Sequence, residues 1–454
     1  MPSYDAIPSH GLRNFAFTLI VLALIVAGAA WLRGGPPQIV ASSLPRAIGA
    51  HKQAVLLIRS PDGVLSAQVS YRQDGRTLPV AAYKKGGRHW FLTGATPLRV
   101  ALTLPLGRSD VPGLQDGPAQ LVVTAHTANL RASESTVTTT VQVQSVPPSL
   151  NVLSGLAYVM QGSAAMTVYT AAGTAVRSGV QLGDQFFRGY ALPGAPPGTH
   201  FCLWTFPFNA PIDTPVNVIA EDAAGNRAVA PVSLKVLPLT TPIHPENISD
   251  AFIQSKVMTI IARTPGLKDQ GSPLQDFLLV NQTLRRQDAA ALRRAAADTA
   301  ANFYWHGAFA ALPDAAVEAH FGDHRLYLYH GRQVDSEYHL GYDLASVRHA
   351  PIPAANAGRV VWTKYFGIYG NCVLLDHGYG LMSLYGHMND FAVQPGEMVK
   401  KGQILGHTDS TGMAMGDHLH FSMLIDGVQT DPLQWWDPHW VQGHILQPLQ
   451  AGRR

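Results

Sequence analysis

The sequence predicts a multidomain, mainly β protein: an N-terminal transmembrane helix, two β-sandwich modules, a helical connector and a C-terminal antiparallel β domain. Three observations predict it. Phe15 to Leu32 is an uncharged apolar run, short alternating runs fill the chain from about Pro37 to Pro238, and strands with glycine turns return beyond Phe321 after an alanine-rich stretch. With 454 residues, 46% of them hydrophobic, the chain is long enough for several separate cores. Its 33 basic and 30 acidic residues leave a formal charge of +3, too small and too dispersed for a nucleic-acid partner held by phosphate neutralisation.

The N-terminal run, FAFTLIVLALIVAGAAWL between Arg13 and Arg33, has about the length that crosses a bilayer as a helix, and Gly34-Gly35-Pro36-Pro37 ends it. Residues 1–37 therefore read as a cytoplasmic tail and membrane anchor, with a cleaved signal peptide at Ala27-Gly28-Ala29 as the alternative. Arg13 on one side faces Arg33, Arg46 and Lys52 on the other, so charge counting leaves the orientation open.

Runs such as Ala54 to Arg59, Gln120 to Ala125 and Thr138 to Val143 predict a β-sandwich over 38–146. Val146-Pro147-Pro148 breaks the pattern, and 147–240 reads as a second sandwich that resembles bacterial immunoglobulin-like modules, with a hairpin at Ala220 to Asn226 where Gly-Asn suits a tight turn. Both modules read as spacers. From 241 to 311 the texture is helical, with Ser272-Pro273 as a start. The pairs Arg285-Arg286 and Arg293-Arg294 read as a solvated helix face, contact with an anionic glycan being the alternative. Cys202 and Cys372 fall in separate modules and read as buried strand residues, not as a disulfide.

Histidine acquires meaningful spacing in 312–445. In Tyr338-His339-Leu340-Gly341-Tyr342-Asp343-Leu344, an imidazole and a carboxylate four apart, expected on one strand, are two ordinary zinc ligand types. In Gly416-Asp417-His418-Leu419-His420-Phe421, two imidazoles two apart on a strand project to one face while Leu419 and Phe421 turn into a core. A further histidine, His387, ends the run Ser383 to His387. The spacings of His320 with His324, and the lone His349, His377, His407, His439 and His444, read as ordinary polar positions, and the helical H-E-x-x-H zinc signature is absent.

Taken together, H-x-x-x-D, a later H and H-x-H resemble the lysostaphin-type (LytM-type) zinc metallopeptidases. The framework Gly370 to Gly378, Val399 to Gly406 and Thr411-Gly412 agrees, over about the last 130 residues. Ser422 stands where many relatives carry an acidic residue, and Asp409-Ser410 extends the preceding loop. The resemblance implies an antiparallel β metallopeptidase domain binding one Zn2+ per chain through His339, Asp343 and His420, with His387 and His418 as catalytic residues beside the zinc-bound water. It further implies hydrolysis of peptide bonds in peptidoglycan cross-links, with D-alanyl bridges as the expected target and stem peptides as the partner. A membrane-tethered location with the catalytic domain in the periplasm follows, the inner membrane being reached through Phe15 to Leu32. The alternative is a non-catalytic regulator of other wall hydrolases, in which zinc ligands are lost. Self-inhibition by an asparagine at the open zinc position, such as Asn281 or Asn302, is a further expectation.

Overall fold

The computed structural model describes residues 10–32, 35–85, 96–129, 131–171 and 173–454, so Arg33 and Gly34 lie outside it. The protein is mainly β and divides into two compact units, one of Met1–Pro147 with Glu221–Arg227, the other of Pro148–Ala220 with Ala228–Arg454.

In the first unit a helix, His10–Leu32, forms over the apolar run, and Phe15, Leu19, Leu24 and Ile25 on it are each more than half exposed. Counted over the described residues, however, no helix is long and apolar enough to cross a membrane, so the expected transmembrane helix is not a finding of the structure. Beyond it, a five-stranded sheet containing Val64–Gln73, Gly117–Thr127 and Glu134–Val143 faces a three-stranded sheet containing Gln53–Arg59 and Arg99–Pro105. Alternate residues of both sheets, among them Leu56, Ile58, Tyr71, Leu104, Leu121 and Val123, are withdrawn from water into one core.

The second unit opens with two four-stranded sheets between Leu150 and Pro231. Gly225, at φ +89°, makes the turn expected between Val216–Asp222 and Arg227–Pro231. Cys202 and Cys372 are free and buried on strands Thr199–Thr205 and Asn371–Gly378. This sandwich is not a detached spacer within its unit. Phe201, Trp204 and Phe206 belong to the same apolar core as Trp305, Tyr385, Phe421 and Trp435, and Phe201 meets Tyr379 edge-on at 4.9 Å.

The connector is less helical than the sequence suggests. Ile243–Ile248 is a strand, parallel to His324–Tyr329, because its residues pair with that edge instead of closing a helical turn. Helix then runs from Asp250 to Arg263 and from Pro273 to Ala296, each with a wide turn in its middle. Behind it lies a sheet in the order Ala316–Ala319, Tyr342–Ala345, Leu419–Ile425, Leu381–Gly386, Asn371–Gly378, Gly358–Tyr365, Met398–Val399, with Val428–Thr430 added at Leu419–Ile425. Its neighbours are antiparallel, as expected.

Candidate metal centre

Register builds the site. Asp343 lies directly opposite His420 on adjacent strands, and His420 lies opposite Gly386 on the next, so His387 follows at the end of that third strand. The expectation that His339 and Asp343 share one strand is corrected. Arg332–Tyr338 ends before His339, and the chain turns at Leu340-Gly341 before Tyr342–Ala345 begins. Gly341 permits that turn to press on the site: a Cβ there would stand 2.7 Å from the His420 ring. His418 and His420 do reach the same carboxylate, while Leu419 and Phe421 turn away into the core.

All five residues are buried, at 6–7% exposure, so their polar atoms must find partners within the protein. His339 Nδ1–H donates to the His320 carbonyl at 3.0 Å, which leaves Nε2 as a lone pair. The Ser422 hydroxyl donates to the Leu340 carbonyl at 2.7 Å, so it can only accept from His420 Nε2–H, 2.9 Å away, and His420 Nδ1 is likewise a lone pair. Those two nitrogens and Asp343 Oδ1 converge, each 3.0 Å from the other two. Three acceptors with no proton between them repel one another unless a cation lies among them, and the donor set is the nitrogen and oxygen mixture that suits zinc.

His418 Nδ1–H donates to Gly416 at 3.0 Å and His387 Nδ1–H to Thr411 at 2.7 Å, so each presents Nε2; for His418 that atom is 3.5 Å from Asp343 Oδ1. The rings of His387 and His418 stand 4.9 Å apart. Burial, reinforced by His418 and His420, holds His387 well below the usual imidazole range, and burial pushes His420 down to about 4. Burial also lowers His418, but its contacts with Asp343 outweigh that and raise it.

Sequence reasoning missed three supports. Arg325 donates to Asp343 Oδ2 at 3.0 Å, leaving Oδ1 to face the histidines, and nothing in its spacing marked it. Ser422 was visible only as a departure from the family pattern. Arg285, read as part of a solvated face, is half-buried and lines the same cavity of about 290 Å³ as the five site residues. The suggested blocking asparagines are elsewhere: Asn281 is fully buried and bonded to Asp335 and Arg285, and the Asn302 carbonyl packs on Gly378. His320 and His324 pack on different tyrosines, His320 edge-on against Tyr342 and His324 stacked on Tyr338. His377, by contrast, is satisfied as expected, donating to Ala357 and bonded to Ser383, and burial lowers it to about 4.

Residues 337–432, which hold all five site residues, match the family model Peptidase family M23. This region is a peptidase M23 domain. The M23 domain is 34% identical over 95 residues to the DD-carboxypeptidase/endopeptidase Mpg of Neisseria meningitidis, covering 21% of this chain and 22% of the relative. It is 33% identical over 116 residues to the peptidoglycan DD-endopeptidase ShyC of Vibrio cholerae, 26% of each chain. The chain thus spans about a fifth to a quarter of the length of these curated relatives. Among solved structures it is similar to the catalytic domain of lysostaphin from Staphylococcus simulans, at 25% identity and a TM-score of 0.24, over 28% of this chain and 94% of that one.

Proposed function

We propose that this chain is a zinc-dependent endopeptidase that hydrolyses peptide bonds in peptidoglycan cross-links, with D-alanyl bridges as its target. The convergence of His339 Nε2, Asp343 Oδ1 and His420 Nδ1, three lone-pair atoms with no proton to share, is the observation that carries the reading. Membership of residues 337–432 in the M23 family supports it, and so do relatives named as peptidoglycan DD-endopeptidases. Three protein ligands leave a position open for water, the pattern of a catalytic zinc. The chemistry a bound zinc supplies is acidification of that water and polarisation of the scissile carbonyl.

The rest falls to the chain. Arg325 holds Asp343 Oδ2, so the carboxylate offers Oδ1 alone. His387 and His418, each fixed by an Nδ1–H bond to a backbone carbonyl, present Nε2 to the reacting centre, one to accept the proton of the attacking water and one to donate to the developing oxyanion. Burial of the set keeps bulk water away and strengthens these interactions. With every ligand present, the regulator reading lacks its premise. An apolar run at Phe15 to Leu32 supports tethering to the cytoplasmic membrane with the catalytic region in the periplasm, where the wall substrate lies.

Metal analysis and muropeptide release from purified sacculi, using the chain from Gln38 onward with and without a chelator, test this reading. Zinc near one per chain with chelator-sensitive release of cross-link fragments is the expected result. A chain that binds no zinc overturns it.

A further inference from the structure

A second cleft, of about 730 Å³, shares no lining residue with the metal centre. It lies in the second unit, where strands Ala175–Leu182 and Gln185–Arg188 of the sandwich meet helix Arg285–Ala296 and the turn at Asp426-Gly427. Arg177, Arg188 and Arg293 line it, and among its lining residues Asp426 is the one carboxylate. Three guanidiniums against one carboxylate make the cleft cationic in a chain whose overall charge is only +3.

These cations are placed. The Arg177 guanidinium lies 3.8 Å over the Phe186 ring and that of Arg188 lies 5.2 Å from the Tyr190 centroid, so aromatic faces restrict both planes and less rotamer entropy is lost on binding. Gly179 gives Phe186 its seat, since a Cβ there would stand 2.8 Å from the ring. The backbone of Arg293 is held from behind, because the turn at Gly427 packs on it too closely for a Cβ. Asp426 is occupied, its Oδ2 accepting the Arg188 backbone N–H at 2.9 Å, and burial pushes its carboxyl up to about 6, so its opposing charge is weakened. Among the described residues, no carboxylate lies within ion-pair distance of the Arg188 or Arg293 side chain.

We infer that this cleft is an exosite for a polycarboxylate segment of the wall, gripping the polymer away from the bond being cut. The planar fork of arginine matches a carboxylate through two parallel hydrogen bonds, and several forks in one cleft favour a chain bearing several carboxylates over a single anion. The identity of the polymer rests on the peptidoglycan reading above; the anion chemistry of the cleft does not.

The test uses the full chain carrying His339→Ala, its binding to poly-glutamate followed by fluorescence and its binding to intact sacculi followed by co-sedimentation. Arg188→Ala with Arg293→Glu is expected to weaken both about tenfold or more, with an unchanged melting temperature. Arg294→Glu, which matches the charge change of Arg293→Glu on an exposed neighbour outside the cleft, is expected to leave both within twofold. In the otherwise native chain, Arg293→Glu should slow release from sacculi while leaving cleavage of a small soluble cross-linked dimer unchanged. Equal losses for Arg293→Glu and Arg294→Glu would reduce the effect to general charge and overturn the exosite. With inorganic phosphate and succinate compared as competitors, displacement of poly-glutamate by phosphate at one tenth of the succinate concentration needed would reassign the cleft to phosphate and overturn the carboxylate assignment. Because poly-glutamate binding needs no hydrolysis, a failure of the peptidase reading and a failure of the exosite give different results.

Discussion

Asp343 accepts from Arg325 through one oxygen and faces three histidines with the other, so each partner has a separable consequence. His339→Ala and His420→Ala each remove a lone pair from the converging set. Both variants should lose zinc and activity together, by metal analysis and muropeptide release, and stoichiometric zinc in His339→Ala would refute the ligand assignment. His418→Ala should keep zinc and lose turnover by at least about 100-fold. Ser422→Ala removes the acceptor of His420 Nε2–H and frees that ring to turn or change tautomer. Zinc affinity should fall roughly tenfold, measured by competition with a chromophoric chelator, and Ser422→Thr, which keeps the hydroxyl, should restore most of it. The candidate ligands were legible through the resemblance of H-x-x-x-D and H-x-H to a family pattern, but Arg325 and the carbonyls of His320, Thr411 and Gly416 reach the site across the fold.

At the scale of elements, the connector helix bears on the site through Asp288. Its carboxylate accepts from Ile368 N–H at 3.3 Å and packs on Gly367, in the turn whose Tyr369 carbonyl accepts from His387 N–H at 2.7 Å. Burial pushes Asp288 up to about 7, only partly offset by the Ile368 hydrogen bond, Arg285 and Lys364. A carboxyl whose folded pKa is raised stabilises fully below its unfolded value near 4 and loses that contribution as pH rises through about 7. Asp288→Asn should therefore raise the melting temperature at pH 8 and change it little at pH 4, with an upper bound of ~4 kcal/mol. A variant less stable than the parent at pH 8 would refute this. The glycines of the family framework also acquire a reason here. Gly370 and Gly412, at φ +65° and +75°, press backbone to backbone between this turn and the loop carrying Thr411, where no Cβ fits. The sequence showed those glycines without showing that they touch.

For the whole molecule, the two sandwiches look alike in sequence and differ in how they can be removed. The first has its own core, whereas the second shares one with the M23 domain through Phe201, Trp204 and Phe206. It also holds the end of the sheet by hydrogen bonds from Thr430, Asp431 and Gln434 to Gly162 and Ser163. A chain starting at Pro148 should keep zinc binding and a cooperative melt. One starting at Thr241 should lose the cooperative transition, since each aromatic it uncovers forfeits about 1.5–3 kcal/mol of burial. Equal melting behaviour of the two would show that the shared core contributes little. The sequence by itself indicated the mainly β character and the free buried cysteines, because these depend on local periodicity and side-chain chemistry, and it pointed to the residues of the candidate centre through their resemblance to a family pattern. Only the tertiary structure decided that His339 and Asp343 straddle a turn, that Ile243–Ile248 is a strand, and that one sandwich is fused to the M23 domain. Those outcomes depend on which distant surfaces bury each other, and strand register across the sheet, not spacing along the chain, brings the polar atoms of the centre to 3.0 Å.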